Sequence, residues 1–332
     1  MIFAEPRDRS TRSTPAIAGI SYVFPEGSRT VSELAGDMQL NSSASTMEAF
    51  GFGEVHVAVA ETPYDLALEA AGKLLAETGV DRDSIGLLIY GGTPGSMAFA
   101  AATDAEDAAS GLCTMSRFKY PATRLQYDLD LRNAWPFAID QLACTTLLGA
   151  ARIARSLCQT EGIERALCVS SEFFPVNAGR EAIFNCTSDA ACAVLIEREG
   201  TRNRIVSATN VTKGYYWDVE AMRDEIVASY FPTARHVLLR TIADAGWEPA
   251  DVDWIIPHNV SARSWEILSS LVGLPRARVF SQNIVRHGHT LAGDNFINYR
   301  DAIDGGCIKP GQRVVLFSYG FGAHWTGIAV EA

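Results

Sequence analysis

The chain has 332 residues, enough for two domains or one duplicated domain at about 150 residues each. Hydrophobic residues make up 48% and charged residues 20%, the balance of a globular protein that buries a large core without staples. The net charge of −11 excludes the basic footprint of a nucleic-acid binder, while leaving room for a local basic patch facing an acidic partner.

Residues 1–14 read as a loose polar lead-in, with Arg, Ser, Thr and Pro and without the apolar stretch of a signal peptide. No later run reaches the ~18 apolar residues of a membrane span. Seven cysteines (Cys113, Cys144, Cys158, Cys168, Cys186, Cys192 and Cys307) form an odd set with no CxxC pair. Neither a disulfide framework nor a zinc ribbon fits them. The expectation is a soluble, cytoplasmic protein with reduced thiols.

Asp65 to Glu77 carries apolar residues at helical spacing, and Gly79 stops that helix. Ile85 to Tyr90 is a short apolar run ending in Gly91-Gly92, a buried strand. Trp135 to Ile139 reads as a strand and Leu147 to Leu157 as a helix, with Cys144 between them. Cys144 then stands at a helix N-terminus, where the dipole and free N–H groups favour a thiolate. The competing reading is a cysteine that fills space, as Cys158, Cys168 and Cys192 do inside apolar runs. Alternating helices and strands give an α/β fold with a mostly parallel sheet.

An internal repeat organises the chain. Leu74 to Gly92 and Leu238 to Asn259 both give helix, glycine stop, acidic loop and buried strand. Arg165 to Phe173 echoes Arg313 to Phe321, and Ala190 to Glu197 echoes His324 to Glu331, in the same order. Two similar halves follow, with a polar seam near residues 200–215. His258 ends the second copy of the repeat and is placed to face a cleft. His289 lies in Arg286-His287-Gly288-His289-Thr290, a loop before a helical run from Asn295 to Ile303. Cys144, His258 and His289 together can make a nucleophilic site in which imidazoles stabilise charge or move protons. The alternatives are half-buried structural imidazoles, or a metal held by His287, His289 and Asp294. Tyr319 to Ala323 is a glycine-rich turn between strands, able to offer backbone N–H groups to an oxyanion or simply to turn the chain.

At three places the sequence resembles the ketosynthase III family (β-ketoacyl-acyl-carrier-protein synthase III) of the thiolase superfamily. Asp140-Gln141-Leu142-Ala143-Cys144 is similar to its nucleophile segment, and Ile256 to Arg263 to its histidine segment. Arg286 to Thr290, Ile308-Lys309-Pro310-Gly311 and Gly320 to Trp325 are similar to its C-terminal block. The likeness runs from about Ile17 to Val330. It implies a thiolase-like five-layered αβαβα fold from two duplicated halves, 15–205 with the nucleophile and 206–332 with the histidines, in a homodimer. It implies ping-pong acyl transfer, with Cys144 taking an acyl group from an acyl-carrier-protein or CoA thioester and His258 assisting the second half-reaction. The backbone N–H groups of Cys144 and Phe321 would form the oxyanion hole, and Arg263 would dock the acidic carrier protein. No metal and no cofactor beyond the thioester substrates are implied.

The sequence departs from the family pattern in three ways. His289 stands where the family has Asn, and a neutral imidazole can donate the same hydrogen bond through one ring nitrogen. No Trp occurs in Asn41 to Val55, where the family has a residue that stacks on the CoA adenine. Thr187 to Ala193 replaces a glycine-rich stretch, and Phe321 replaces a glycine. The departures point to specialised metabolism. Decarboxylative condensation with a malonyl-type thioester is the first reading, and transfer to a hydroxyl or amine is the alternative. A non-catalytic partner subunit of a ketosynthase and a zinc hydrolase built on His287 and His289 are readings of other classes.

Overall fold

The computed structural model describes residues 13–92, 118–174, 178–183 and 185–332. Most of the lead-in and Cys113 lie outside them. The strands are β1 (Ala16–Val23), β2 (Ser28–Thr30), β3 (Glu54–His56), β4 (Ile85–Gly91), β5 (Trp135–Ile139), β6 (Arg165–Glu172), β7 (Ala190–Glu197), β8 (Arg204–Thr212), β9 (Trp254–Pro257), β10 (Arg313–Gly320) and β11 (His324–Glu331). The helices are α1 (Val31–Gly36), α2 (Ala44–Ala49), α3 (Pro63–Thr78), α4 (Pro121–Asp128), α5 (Thr146–Glu161), α6 (Arg223–Asp244), α7 (Ala262–Val272), α8 (Gln282–His287) and α9 (Asp294–Asp304). Among the described residues no helix is long and apolar enough to cross a membrane.

The main sheet runs β5-β4-β6-β7-β1-β8-β11-β10-β9, and β2 pairs with β3 apart from it. With the edge strand β5 set aside, the order repeats from each side inward. β4 and β6 are parallel, β6 and β7 antiparallel, and β7 and β1 antiparallel. Likewise β9 and β10 are parallel, β10 and β11 antiparallel, and β11 and β8 antiparallel. Even the register repeats. Arg165 faces Glu197 where β6 meets β7, and Arg313 faces Glu331 where β10 meets β11. The two runs touch at a single bridge, Ala16 with Arg204. β8 therefore crosses the stretch that the sequence shows only as a polar seam.

Helices cover these runs in layers. α3 packs on β1, β6 and β7, while α6 packs on β8, β10 and β11. Between the two runs lie α5 and α9, each touching strands of both. Three apolar cores fill the interfaces: one under α3, one around α5 and α9, and one under α6 and α7. Strands covered on both faces need no polar alternation, which explains why β4, β6 and β7 read as apolar runs at their centres and are buried along nearly their whole length. α3 begins with a reciprocal cap, in which Thr62 Oγ1 accepts from the Asp65 amide and the Asp65 carboxylate accepts from the Thr62 amide. The middle layer matters most for function, because α5 starts beside Cys144 and α9 starts with Asp294.

Candidate active site

Cys144 sits in a tight turn, Ala143–Thr145, that feeds directly into α5. Ala143 has φ of 45°, a left-handed conformation that costs a non-glycine residue about 1–2 kcal/mol. Several contacts hold it there. Thr145 donates to the Leu142 carbonyl through its amide at 3.0 Å and its hydroxyl at 2.7 Å. Ser318 Oγ donates to the Cys144 carbonyl at 3.0 Å. Each such bond contributes about 1 kcal/mol, so together they outweigh the strain. β10 can lie this close because Gly320 has no side chain. A Cβ there would come 2.5 Å from the Leu142 oxygen and 3.0 Å from the Cys144 nitrogen.

His289 approaches from the other run of the sheet. Gly288, with φ of 59°, lets the chain pass between Val55 and the Cys186 carbonyl, where a Cβ would lie under 3 Å from both. The His289 amide donates to Cys186 and its carbonyl accepts from Ser188. Its ring then spans two partners: Nε2 lies 3.2 Å from Cys144 Sγ, and Nδ1 lies 2.5 Å from Asp294 Oδ2. Asp294 already accepts from the Thr290 amide and hydroxyl and from the Asn259 amide. It therefore acts as an acceptor toward Nδ1, which must carry the proton. A neutral His289 then presents a lone pair, not an N–H, to the sulfur. Burial disfavours the charged imidazole, but Asp294 and then Cys144 outweigh burial and hold its pKa well above 6.5.

His258 follows β9 directly. Its amide donates to Phe317 and its carbonyl accepts from Trp265 Nε1. Its ring lies among Trp265, Phe317 and His289, with centroids 5.8, 5.9 and 6.1 Å away. Neither ring nitrogen has a partner among the described residues. Burial, with the neighbouring His289 second, pushes its pKa down to about 3. It is a neutral imidazole with an uncommitted N–H.

Three buried polar residues of α9 tie these parts together. Asp294 orients His289. Asn295 donates to the Ile256 and Phe317 carbonyls. Asn298 donates to the Pro257 carbonyl and to Asn259 Oδ1, while Asn259 Nδ2 donates to Gly288. The sequence reading saw Asp294 only as a metal ligand and passed over the asparagines. Their signal is polar residues at i, i+1 and i+4 on a helix face that the core should claim.

Cys144, His258 and His289 line one cavity of about 480 Å³. Phe321, in the turn between β10 and β11, lines it as well. Arg263 stands on its rim, with a 72% exposed side chain paired to Glu266 at 2.9 Å. The remaining wall is mainly apolar, with Phe50, Phe174, Ile226, Tyr230 and Phe231 among the contributors. Segment 178–183 adds Ala182 and Ile183 and is anchored by a fully buried ion pair, Arg180 to Asp189 at 2.6 and 3.0 Å. His287 is not part of the cluster. It faces His56 at 3.0 Å and stacks on Phe24, so His287, His289 and Asp294 do not converge on one point. Cys158, Cys168 and Cys192 are buried core thiols, and burial raises the pKa of each.

A thiol, an imidazole that can take its proton and a carboxylate that orients the imidazole form a nucleophile set, here facing an apolar cavity. Residues 242–332 match the family described as 3-Oxoacyl-[acyl-carrier-protein (ACP)] synthase III C terminal. The chain is 26% identical over 335 residues to a β-ketoacyl-[acyl-carrier-protein] synthase III from Erythrobacter litoralis, covering 93% of this chain and 97% of the relative. It is 24% identical over 338 residues to the enzyme of that name from Shigella flexneri, covering 95% and 98%. The fold superposes on the crystal structure of 3-oxoacyl-(acyl carrier protein) synthase III from Pseudomonas aeruginosa with a TM-score of 0.80, at 21% identity and over 96% and 98% of the two chains. Over nearly its whole length the chain is thus similar to β-ketoacyl-[acyl-carrier-protein] synthase III enzymes, and residues 242–332 match the synthase III C-terminal domain.

Proposed function

We propose that the protein moves an acyl group from a thioester, through a Cys144 acyl-enzyme, to a hydroxyl or amine acceptor. One observation carries this reading: Cys144, His289 and Asp294 are hydrogen-bonded in series. His289 takes the thiol proton, and Cys144 sulfur attacks the thioester carbonyl. The donor's thiol then leaves with the proton that His289 returns. In the second half-reaction, His289 Nε2 takes the proton of the acceptor O–H or N–H as its oxygen or nitrogen attacks the acyl carbon. The Cys144 thiolate leaves and is reprotonated. The oxyanion in both steps is met by the backbone amides of Cys144 and Phe321, with the free N–H of His258 as a third donor. The thioester supplies all the driving force, so no further cofactor enters. The donor is an acyl carrier protein, whose acidic surface Arg263 meets at the cavity rim, or CoA.

A second reading is decarboxylative condensation with a malonyl-type thioester. The neutral His258, with no competing partner, favours it, because an enolate needs a donor that is not already engaged. Against it stands the pairing of His289 with Asp294, which suits an imidazole that takes up a proton rather than one that only donates a hydrogen bond. Product analysis separates the two. Acyl-loaded protein is mixed with malonyl carrier protein, or with a panel of hydroxyl and amine acceptors. Ester or amide formation without CO₂ release is the expected result, and CO₂ release with a ketoacyl product would establish condensation instead.

A further inference from the structure

Gly288 gives the His289 loop its close approach to β3, and also a joint. A glycine with φ of 59° stiffens nothing by itself, so the residues on either side must be held from outside. On one side, the His289 amide donates to the Cys186 carbonyl at 2.8 Å, and the His289 carbonyl accepts from the Ser188 amide at 2.9 Å. On the other side stands His287, whose Nδ1 lies 3.0 Å from His56 Nε2. Both imidazoles stack on Phe24, with centroids 4.0 Å away for His56 and 4.5 Å for His287. His56 ends β3 and is fixed by its own backbone. Its amide donates to Ser188 Oγ at 2.7 Å, and its carbonyl accepts from the Asp189 amide at 2.9 Å.

These contacts close a circuit. It runs from the His56 ring to the His287 ring, through Gly288 to His289, across to Ser188 and back to the His56 backbone. Its one link between two side chains is the ring-to-ring bond. Asp301 Oδ2 lies 4.0 Å from His287 Nε2, which favours the proton on that nitrogen and leaves Nδ1 to accept from His56 Nε2–H. The other charged neighbours are Glu54 and Asp189 beside His56, and Arg286, Asp294 and Glu54 beside His287. Burial, then the neighbouring imidazole, pushes His56 down to about 4, and burial also lowers His287. Near neutral pH both rings are therefore uncharged, and the bond stands. We infer that His56 is a positioning residue: its bond to His287 pins the joint at Gly288 and so keeps His289 Nε2 at Cys144 Sγ. The use of that 3.2 Å contact in acyl transfer rests on the acyl-enzyme reading given above.

The test is the rate at which iodoacetamide alkylates Cys144, read by peptide mass spectrometry because Cys307 is also partly exposed. Rates are taken at about pH 6.5, where a thiol needs a base in place, and at about pH 9.5, where an ordinary thiol ionises unaided. His56→Phe keeps a ring against Phe24 and loses the bond. It should lower the rate about tenfold at the lower pH and less than about twofold at the higher. His56→Gln sets an amide N–H toward the same acceptor and should stay within about threefold of wild type. The ratio of the two rates is read within one protein, so a partial loss of folded molecules cancels. Equal rates for wild type and His56→Phe at the lower pH overturn the inference. So does an equal loss at both pH values, which a general loosening of the fold would give, or a His56→Gln as impaired as His56→Phe. Loading of wild type from thioester donors is measured alongside. The predicted alkylation pattern with no loading by any donor supports the positioning and overturns the acyl-enzyme reading instead.

Discussion

His258 and His289 are a controlled comparison inside one cavity. Both are almost fully buried, at 1% and 2% exposure, and their rings are 6.1 Å apart. Burial pushes the pKa of both down. Yet His258 falls to about 3, while His289 rises well above 6.5. The difference lies in partners. His289 has a carboxylate on one nitrogen and a thiol on the other, and His258 has neither. One imidazole is thus suited to carry a proton and the other to donate from a neutral ring, the kind of separation from which the proposed acid–base roles are argued.

The largest way to break the comparison is to remove the carboxylate. Asp294→Asn keeps the shape but lets Nδ1 face an amide, so His289 loses both its charge partner and its fixed tautomer. Loading of Cys144 should fall about a thousandfold or more, as triads do when the orienting acid is made an amide. Rapid-mixing acylation kinetics would show it, and a loss below tenfold would mean that Asp294 only shapes the loop. His258→Gln should cost less, about a hundredfold in transfer to the acceptor, the scale of one oxyanion donor. A greater effect on loading than Asp294→Asn has would invert the assignment.

The same contrast predicts opposite pH behaviour. His289 has a raised folded pKa, so it adds stability fully below the unfolded value near 6.5, and this is lost as pH rises through the folded value. His258 has a depressed folded pKa, so its contribution is present above 6.5 and lost as pH falls toward about 3. At about pH 5, between those limits, ¹⁵N NMR of the histidine rings should find His289 charged and His258 neutral. Two rings titrating together near the ordinary value would contradict the account. The smallest effect belongs to Arg263→Ala. An exposed charge acts mainly on encounter, so KM for carrier-protein donors should rise several-fold more than KM for CoA donors, and the gap should close at high salt.

The sequence made the Cys144 segment and both histidines legible as neighbours in one cavity, because each sits where a strand or turn meets a helix. It also showed the repeat, since β6, β7, β10 and β11 are buried along most of their length and share an apolar centre of four or more residues. It did not show which way His289 points. That depends on Asp294, five residues on, reached through a turn with Leu291 at φ of 55°, and no local pattern encodes it. The reading that a neutral imidazole replaces an amide donor at position 289 overlooked this carboxylate. Tyr230 was missed for another reason. It lies on α6, whose apolar residues serve both the core and the cavity, and spacing alone cannot divide them. β8 was hidden because its exposed side chains are polar, as one side of a half-covered strand should be.

The most direct test is intact-protein mass spectrometry after brief exposure to acyl-CoA and acyl-carrier-protein donors. Wild type, Cys144→Ala and Asp294→Asn are run side by side. The account predicts one acyl mass on wild type, none on Cys144→Ala, and slow accumulation of the same mass on Asp294→Asn. An acyl mass that survives Cys144→Ala, or equal loading rates in wild type and Asp294→Asn, would contradict it.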